Sequence, residues 1–84
     1  MKHLMIEKGK VSEAYHGGFQ TLRILQNRKE AIAYVEGLSQ GSKEKVKVDF
    51  LSRNSVLVKV YVPDHGWRNL KGEDFLDRST DSMV

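Results

Sequence analysis

The sequence predicts a small α+β domain in which one main helix packs on one face of an antiparallel sheet. Two runs of alternating apolar and polar residues over 45–62 indicate a β-hairpin. Apolar residues at helical spacing over 27–41 indicate the helix, and 19–26 is rich in strand-forming residues. Because 84 residues can bury one core only, we expect a single domain over 1–84 with the order β-β-α-β-β.

The part of the chain before the helix is expected to form two strands. Residues 19–26, FQTLRILQ, are the stronger strand candidate, and residues 2–9, KHLMIEKG, are a weaker one that ends at Gly9. The stretch between them, KVSEAYHGG, shows no clean period. We interpret it as part of a hairpin with a bulged second strand that closes near Gly17 and Gly18.

The main helix is predicted over residues 28–38. Asn27 can cap its first free amides, and Glu30 stands three residues later, as in a capping box. The apolar residues at helical spacing are Ala31, Ile32, Val35 and Leu38. Gly37 should weaken the last turn, and Gly41 should provide the exit from the helix.

The most regular segment is the predicted hairpin over 45–62, which turns at the polar residues SRNS. We expect its valines and Phe50 to share the buried face, because a shift of one residue would expose all of them. The residues of that face are Val46, Val48, Phe50, Val56, Val58, Val60 and Val62. The predicted solvent face combines Lys45, Lys47, Asp49 and Leu51 of the first strand with Leu57, Lys59 and Tyr61 of the second.

A turn follows the hairpin, and the only tryptophan of the chain comes directly after it. The residues that favour the turn are Pro63, Asp64 and Gly66. We expect a loop over 63–71, a short C-terminal helix over 72–79 and a frayed end over 79–84.

The composition excludes several classes of protein. The net charge of +3 is mild, and acidic residues interrupt every basic cluster, which is not typical of a dedicated nonspecific DNA binder. Without cysteine there is neither a disulfide framework nor a thiolate metal site. No apolar run approaches the ~20 residues of a membrane span, and charge follows Met1 too soon for a secretory signal. We therefore expect a cytoplasmic protein without a membrane partner.

No motif indicates an enzyme, a cofactor or a metal site. His3, His16 and His65 are far apart in the chain and form no i,i+4 pair, so a shared metal ion is not expected. No serine stands in a strand-to-helix elbow of GxSxG form, since the one GxSxG string, GLSQG over 37–41, falls at the end of the predicted helix. The stretch HGGF does not match the known phosphate-binding loops. We therefore predict a function without catalysis and without a cofactor.

The best candidate binding residues are Trp67 and Arg68, because the chemistry of the turn does not account for them. Two interpretations of Trp67 stay open, a core residue at the end of the sheet and a half-exposed anchor. Tyr61 on the hairpin could add an aromatic contact. The predicted set is completed by Lys45, Lys47 and Lys59, which would steer an acidic partner.

These observations predict a small non-enzymatic regulator or inhibitor that binds a larger enzyme or assembly through an acidic patch of that partner. The alternative is a nucleic-acid-binding module that uses the basic face of the 45–62 hairpin, with an affinity that falls steeply with salt. The edges of an open sheet also allow a homodimer.

Overall fold

In a computed structural model of the chain, which describes residues 1–70, a six-stranded sheet carries one helix on one face. The elements are β1 (Lys2–Glu7), β2 (Lys10–Tyr15), β3 (Gly18–Ile24), α1 (Arg28–Ser42), β4 (Val46–Leu51), β5 (Val56–Val62) and β6 (Gly66–Asn69). The predicted α+β class is confirmed, but the predicted β-β-α-β-β order is wrong. The predicted C-terminal helix over 72–79 and the frayed end lie outside the described residues.

Two strands, β2 and β6, are additions to the predicted order, although the bulged hairpin expected to close near Gly17 and Gly18 is confirmed by the pairing of β2 with β3. Within β2 the neighbouring residues Val11 and Ser12 are both buried, and the register between β2 and β3 shifts at this point. The extra residue of this bulge is Leu22 of β3, and β2 was missed because its sequence, KVSEAY, does not alternate regularly between apolar and polar residues. Strand β6 occupies part of the predicted loop over 63–71, and its four residues are too few to show a period.

The sheet is mixed, and the prediction of an antiparallel sheet is wrong. The strand order is β3-β2-β1-β4-β5-β6, and β1 pairs in parallel with β4, with Leu4 opposite Val48. The other neighbouring strands in the described sheet pair antiparallel. Because three strands precede the helix and the chain reverses at each connection, β4 runs in the same direction as β1.

The core lies between α1 and the sheet. It consists of Leu4, Ile6, Val11, Ala31, Val35, Val46, Val48 and Phe50. Partly buried residues at its margin are Leu25, Ile32, Tyr34, Leu38 and Trp67. The burial predicted for the apolar residues of β4 is therefore confirmed.

The predicted hairpin of β4 and β5 is confirmed, but its predicted faces are wrong. The cross-strand partners are Val46–Tyr61, Val48–Lys59, Phe50–Leu57 and Leu51–Val56. Directly paired residues project from the same face, so Leu57, Lys59 and Tyr61 share the helix face with the apolar residues of β4. The valines of β5 therefore lie on the opposite face, where Val60 is buried as predicted and Val56 is exposed. The cause is the length of the connection over 52–55. Because it has an even number of residues, even-numbered residues of β4 pair with odd-numbered residues of β5, whereas the predicted faces require even-numbered residues on both strands.

The predicted capping box at the start of α1 is confirmed. The backbone N–H of Glu30 donates to Oδ1 of Asn27 at 2.9 Å. The carboxylate of Glu30 in turn accepts a hydrogen bond from the backbone N–H of Gln26 at 3.1 Å. Both contacts satisfy backbone donors that have no partner within the helix.

Replacing Asn27 by Ala is expected to lower the free energy of unfolding by about 1 kcal/mol, because the amide of Glu30 loses its acceptor. Thermal denaturation followed by circular dichroism should show a Tm lower by roughly 4 to 8 °C. Asn27→Ser, which keeps an oxygen at this position, should retain most of the stability. An alanine variant as stable as the wild type would contradict the role of Asn27 as a cap.

Helix α1 ends at Ser42, so the predicted end at residue 38 is wrong. The fully buried Ser39 stabilises the added turn, because its hydroxyl donates to the carbonyl oxygen of Glu44 at 2.6 Å. Lys43 closes the helix with φ 60°, in the left-handed region, and its N–H donates to the carbonyl oxygen of Ser39. The exit expected at Gly41 is thus made by a lysine.

The predicted turn at Pro63 is confirmed. The N–H of His65 donates to the carbonyl oxygen of Val62 at 3.0 Å, and Asp64 has φ 67°. Proline followed by a residue of positive φ is the arrangement of a type II turn. The backbone N–H of Asp64 also donates to Oε1 of Gln40 at 2.7 Å, which fixes the turn against the last turns of α1.

Candidate functional site

A groove with a volume of about 310 Å³ opens between α1 and the β5 and β6 side of the sheet. Its lining residues are Arg28, Ile32, Phe50, Leu57, Lys59 and Trp67. A helix is about 10 Å wide and strands lie about 4.8 Å apart, so one helix cannot cover six strands. The groove lies where the sheet extends beyond the helix.

Aromatic rings form the apolar floor of the groove. Trp67 lies edge-on to Phe50, with ring centroids 5.4 Å apart, and to Tyr61, with centroids 5.1 Å apart. Pairing of β4 with β5 places Leu57 directly beside Phe50. The side chain of Leu57 is 55% exposed, which leaves an apolar wall in contact with solvent.

Trp67 is held in place by both layers of the domain. Its indole Nε1 donates to Oε2 of Glu36 on α1 at 2.7 Å, and its ring packs against the margin of the core. A tryptophan donor bonded to a carboxylate has a fixed ring orientation. Trp67 therefore fits both interpretations, the core residue and the half-exposed anchor, because it contacts the core and also lines the groove.

Two cations stand at the margin of the groove. The guanidinium carbon of Arg28, the first residue of α1, lies 5.9 Å from the ring centroid of Phe50, and its Nη2 donates to the carbonyl oxygen of Leu51 at 2.6 Å. Lys59 reaches the groove from β5. The site therefore combines an apolar surface with positive charge, the arrangement that suits an apolar side chain flanked by carboxylates.

The structure brings three of the six predicted binding residues together. Trp67, Tyr61 and Lys59 project from the helix face of β5 and β6. Arg68 follows Trp67 on the same strand and so projects from the opposite face, which separates the predicted pair. Lys47 lies on that face as well and is only 5% exposed, and Lys45 is not part of the groove.

Four residues of the groove were not predicted as binding residues. Phe50 was assigned to the core, Leu57 to a solvent face, and Arg28 and Ile32 to the helix alone. The pairing of Phe50 with Leu57 could have been found from the even length of the turn over 52–55. Nothing in the sequence indicates that Arg28 reaches this part of the sheet.

The face of the sheet opposite the helix carries a polar pair. Nε2 of His3 lies 3.0 Å from Oδ2 of Asp49. Neither this nitrogen nor Oδ1 of Asp49 makes a hydrogen bond of good geometry to any described residue. Within residues 1–70, no group of three or more His, Asp or Glu side chains is placed to hold a metal ion.

Comparisons with known proteins assign no family to this site. No protein-family model, curated protein or solved structure matches the chain. In the part of the chain that the structure describes, no helix is long and apolar enough to span a bilayer. The function is therefore inferred from the residues of the groove.

Proposed function

We propose that this protein is a small non-enzymatic regulator or inhibitor that binds a segment of a larger enzyme or assembly in the groove beside Trp67. The observation that carries the proposal is the half-exposed Leu57 next to an aromatic floor, with Arg28 and Lys59 at the margin. Covering such a surface contributes about 25 cal/mol per Å² of apolar area, which favours association.

The groove is prepared for binding before a partner arrives. Glu36 already orients the ring of Trp67, so little side-chain entropy is lost when a partner contacts it. Tryptophan and arginine are also the residues that contribute most often to binding energy at interfaces. These features support a partner that inserts one apolar side chain into the groove.

The charges at the margin favour an acidic partner. Arg28 uses Nη2 for the carbonyl oxygen of Leu51, and a guanidinium has further N–H donors in the same plane. A carboxylate from the partner can bind there, and Lys59 adds a second positive charge to the lining of the groove. The proposed segment therefore carries acidic residues next to its apolar anchor.

The nucleic-acid alternative required Lys47 and Lys59 on one face of the hairpin, and the hairpin does not place them so. Lys47 is almost fully buried and projects from the face opposite Lys59, so the two lysines cannot contact one phosphate backbone together. No observation on the described residues favours this alternative over a protein partner. Salt dependence and nuclease treatment nevertheless distinguish the two.

Leu57→Ser is expected to abolish partner binding, whereas Val56→Ser is the matched control. Both residues are 55% exposed on the same strand, but Val56 lies on the other face of the sheet. Both variants should keep their free energy of unfolding within about 1 kcal/mol of the wild type. Tagged wild type and both variants are used to capture proteins from nuclease-treated lysate, and the captured proteins are quantified by mass spectrometry.

The proposal requires a protein that the wild type and Val56→Ser capture and Leu57→Ser does not. Recovery of nucleic acid alone, lost at high salt and unchanged by Leu57→Ser, would contradict it. An anilinonaphthalene sulfonate dye tests the groove without a partner, because it is both apolar and anionic. Energy transfer from Trp67, the only tryptophan, should report dye binding that Leu57→Ser weakens and Val56→Ser does not.

A further inference from the structure

We propose that the protein forms a homodimer in which the β3 strands of two copies pair antiparallel. Within residues 1–70, β3 has a neighbouring strand on one side only, and all seven of its residues are exposed. The backbone groups on the open side of an edge strand can pair with another strand. The groove lies toward the other end of the sheet, so the dimer is independent of the proposed function.

Strand β3 lacks the residue types that usually protect an edge, and its bulge at Leu22 is the one protective feature that it has. Its sequence GFQTLRI contains no proline, lysine or acidic residue. Its one charged residue, Arg23, has its guanidinium carbon 5.7 Å from the ring centroid of Tyr34 on α1. At the opposite edge of the described sheet, β6 has only four residues, and so short a strand discourages pairing with another chain.

Apolar side chains on β3 are exposed to solvent. The exposed fraction is 48% for Phe19, 36% for Leu22 and 73% for Ile24. Phe19 pairs with Ala14 and Ile24 pairs with Lys10, and both partners project from the face of β2 opposite the buried Val11. Phe19 and Ile24 therefore share the face of the sheet that lies away from the helix.

The bulge makes β3 complementary to itself. Residues 19 and 24 would project from opposite faces of a regular strand, because their spacing is odd. Val11 pairs with Arg23 and Ser12 pairs with Thr21, so Leu22 has no partner on β2 and is the extra residue of the bulge. This extra residue places Phe19 and Ile24, at the two ends of β3, on the same face of the sheet.

A twofold axis between residues 21 and 22 then pairs compatible side chains on both faces of the sheet that the two copies form. Phe19 of one copy lies opposite Ile24 of the second copy on the face away from the helix. On the helix face, Gln20 lies opposite Arg23 of the second copy, so no two like charges are paired directly. Compatible pairing of Phe19 with Ile24 and of Gln20 with Arg23 favours a second copy of this chain over an unrelated strand.

Pairing of β3 with β3 uses the same edge of both copies and therefore closes as a dimer instead of extending into a fibre. The contact of one short strand is smaller than the ~1,600 Å² of a standard interface. We therefore expect a dimer that dissociates on dilution.

Sedimentation equilibrium over a series of concentrations tests the dimer. The wild type should approach twice the chain mass of 9.6 kDa as concentration rises. Ile24→Lys should remain at 9.6 kDa throughout, because each lysine faces Phe19 of the other copy. Val56→Lys, which changes an exposed residue on β5, is the control and should associate like the wild type. Circular dichroism confirms that each variant is folded.

A wild type that stays monomeric at its highest soluble concentration would overturn the proposal, and so would equal loss of association in Val56→Lys. Cross-linking tests the alignment separately, since the chain has no cysteine of its own. Thr21→Cys should form a disulfide-linked dimer, because the two copies of residue 21 flank the axis. Ser55→Cys in the β4–β5 turn should not, and equal yields would contradict the β3 interface. Neither result affects the groove tests.

Discussion

Replacing Gly9 by Ala is expected to lower the free energy of unfolding by about 3 kcal/mol. An added Cβ would overlap the carbonyl oxygen of Leu25 and lie 2.8 Å from its carbonyl carbon and 3.0 Å from the backbone nitrogen of Asn27. The N–H of Leu25 donates to the carbonyl oxygen of Gly9 at 2.7 Å, so the two backbones are held together. Because the obstacles are backbone atoms, no change of rotamer relieves the overlap.

Urea and thermal denaturation followed by circular dichroism measure this effect. At roughly 4 to 8 °C per kcal/mol, the Tm of Gly9→Ala should fall by more than about 12 °C. Gly37→Ala is the matched control, because no described atom lies within 4 Å of the added Cβ. In the helix interior this change should raise the stability by about 0.5 to 1 kcal/mol. Equal stability of Gly9→Ala and the wild type would contradict the close approach.

Trp67→Ala is expected to destabilise the domain by about 3 kcal/mol, at the lower end of the range for large aromatic residues because the ring is only partly buried. The variant loses the ring contacts with Phe50 and Tyr61. It also leaves the carboxylate of Glu36 without its indole donor. Trp67 therefore joins helix and sheet at the open side of the domain.

Two further variants separate the contributions of Trp67. Trp67→Phe keeps a ring beside Phe50 but removes the donor to Glu36, so its loss of stability should be intermediate. Arg68→Ala changes the exposed neighbour on the opposite face and should stay within about 0.5 kcal/mol of the wild type. The readout is urea denaturation by circular dichroism. A loss below about 1 kcal/mol in Trp67→Ala would contradict its structural role.

Features that depend on neighbours in the sequence could be predicted. The cap of Asn27 with Glu30 and the turn at Pro63 require only contacts within a few residues, and both are confirmed. The hairpin of β4 and β5 was predicted from the alternation of apolar and polar residues. This pattern identifies each strand but does not show which residues of the two strands are paired. The alignment depends on the number of residues in the connection over 52–55, so the predicted faces were wrong.

Features that depend on distant parts of the chain were missed. The parallel pairing of β1 with β4 follows from the extra strand β2, whose residues KVSEAY do not alternate regularly between apolar and polar. Trp67 was predicted as a site residue because no local rule explained it. Its partner Glu36 and the neighbouring Arg28 come from the helix, and no sequence pattern links them to β6.

The parallel pairing also determines when the protein can fold during synthesis. Strand β1 is translated first among the described elements and lies inside the sheet, between β2 and β4. Once β1 to β3 have left the ribosome they can form a local meander, but the side of β1 that will meet β4 has no partner until β4 also emerges. Leu4 and Ile6 on this strand must wait for Val48 and Phe50. A chain truncated between α1 and β4 would therefore expose the unpaired edge of an interior strand, which favours aggregation.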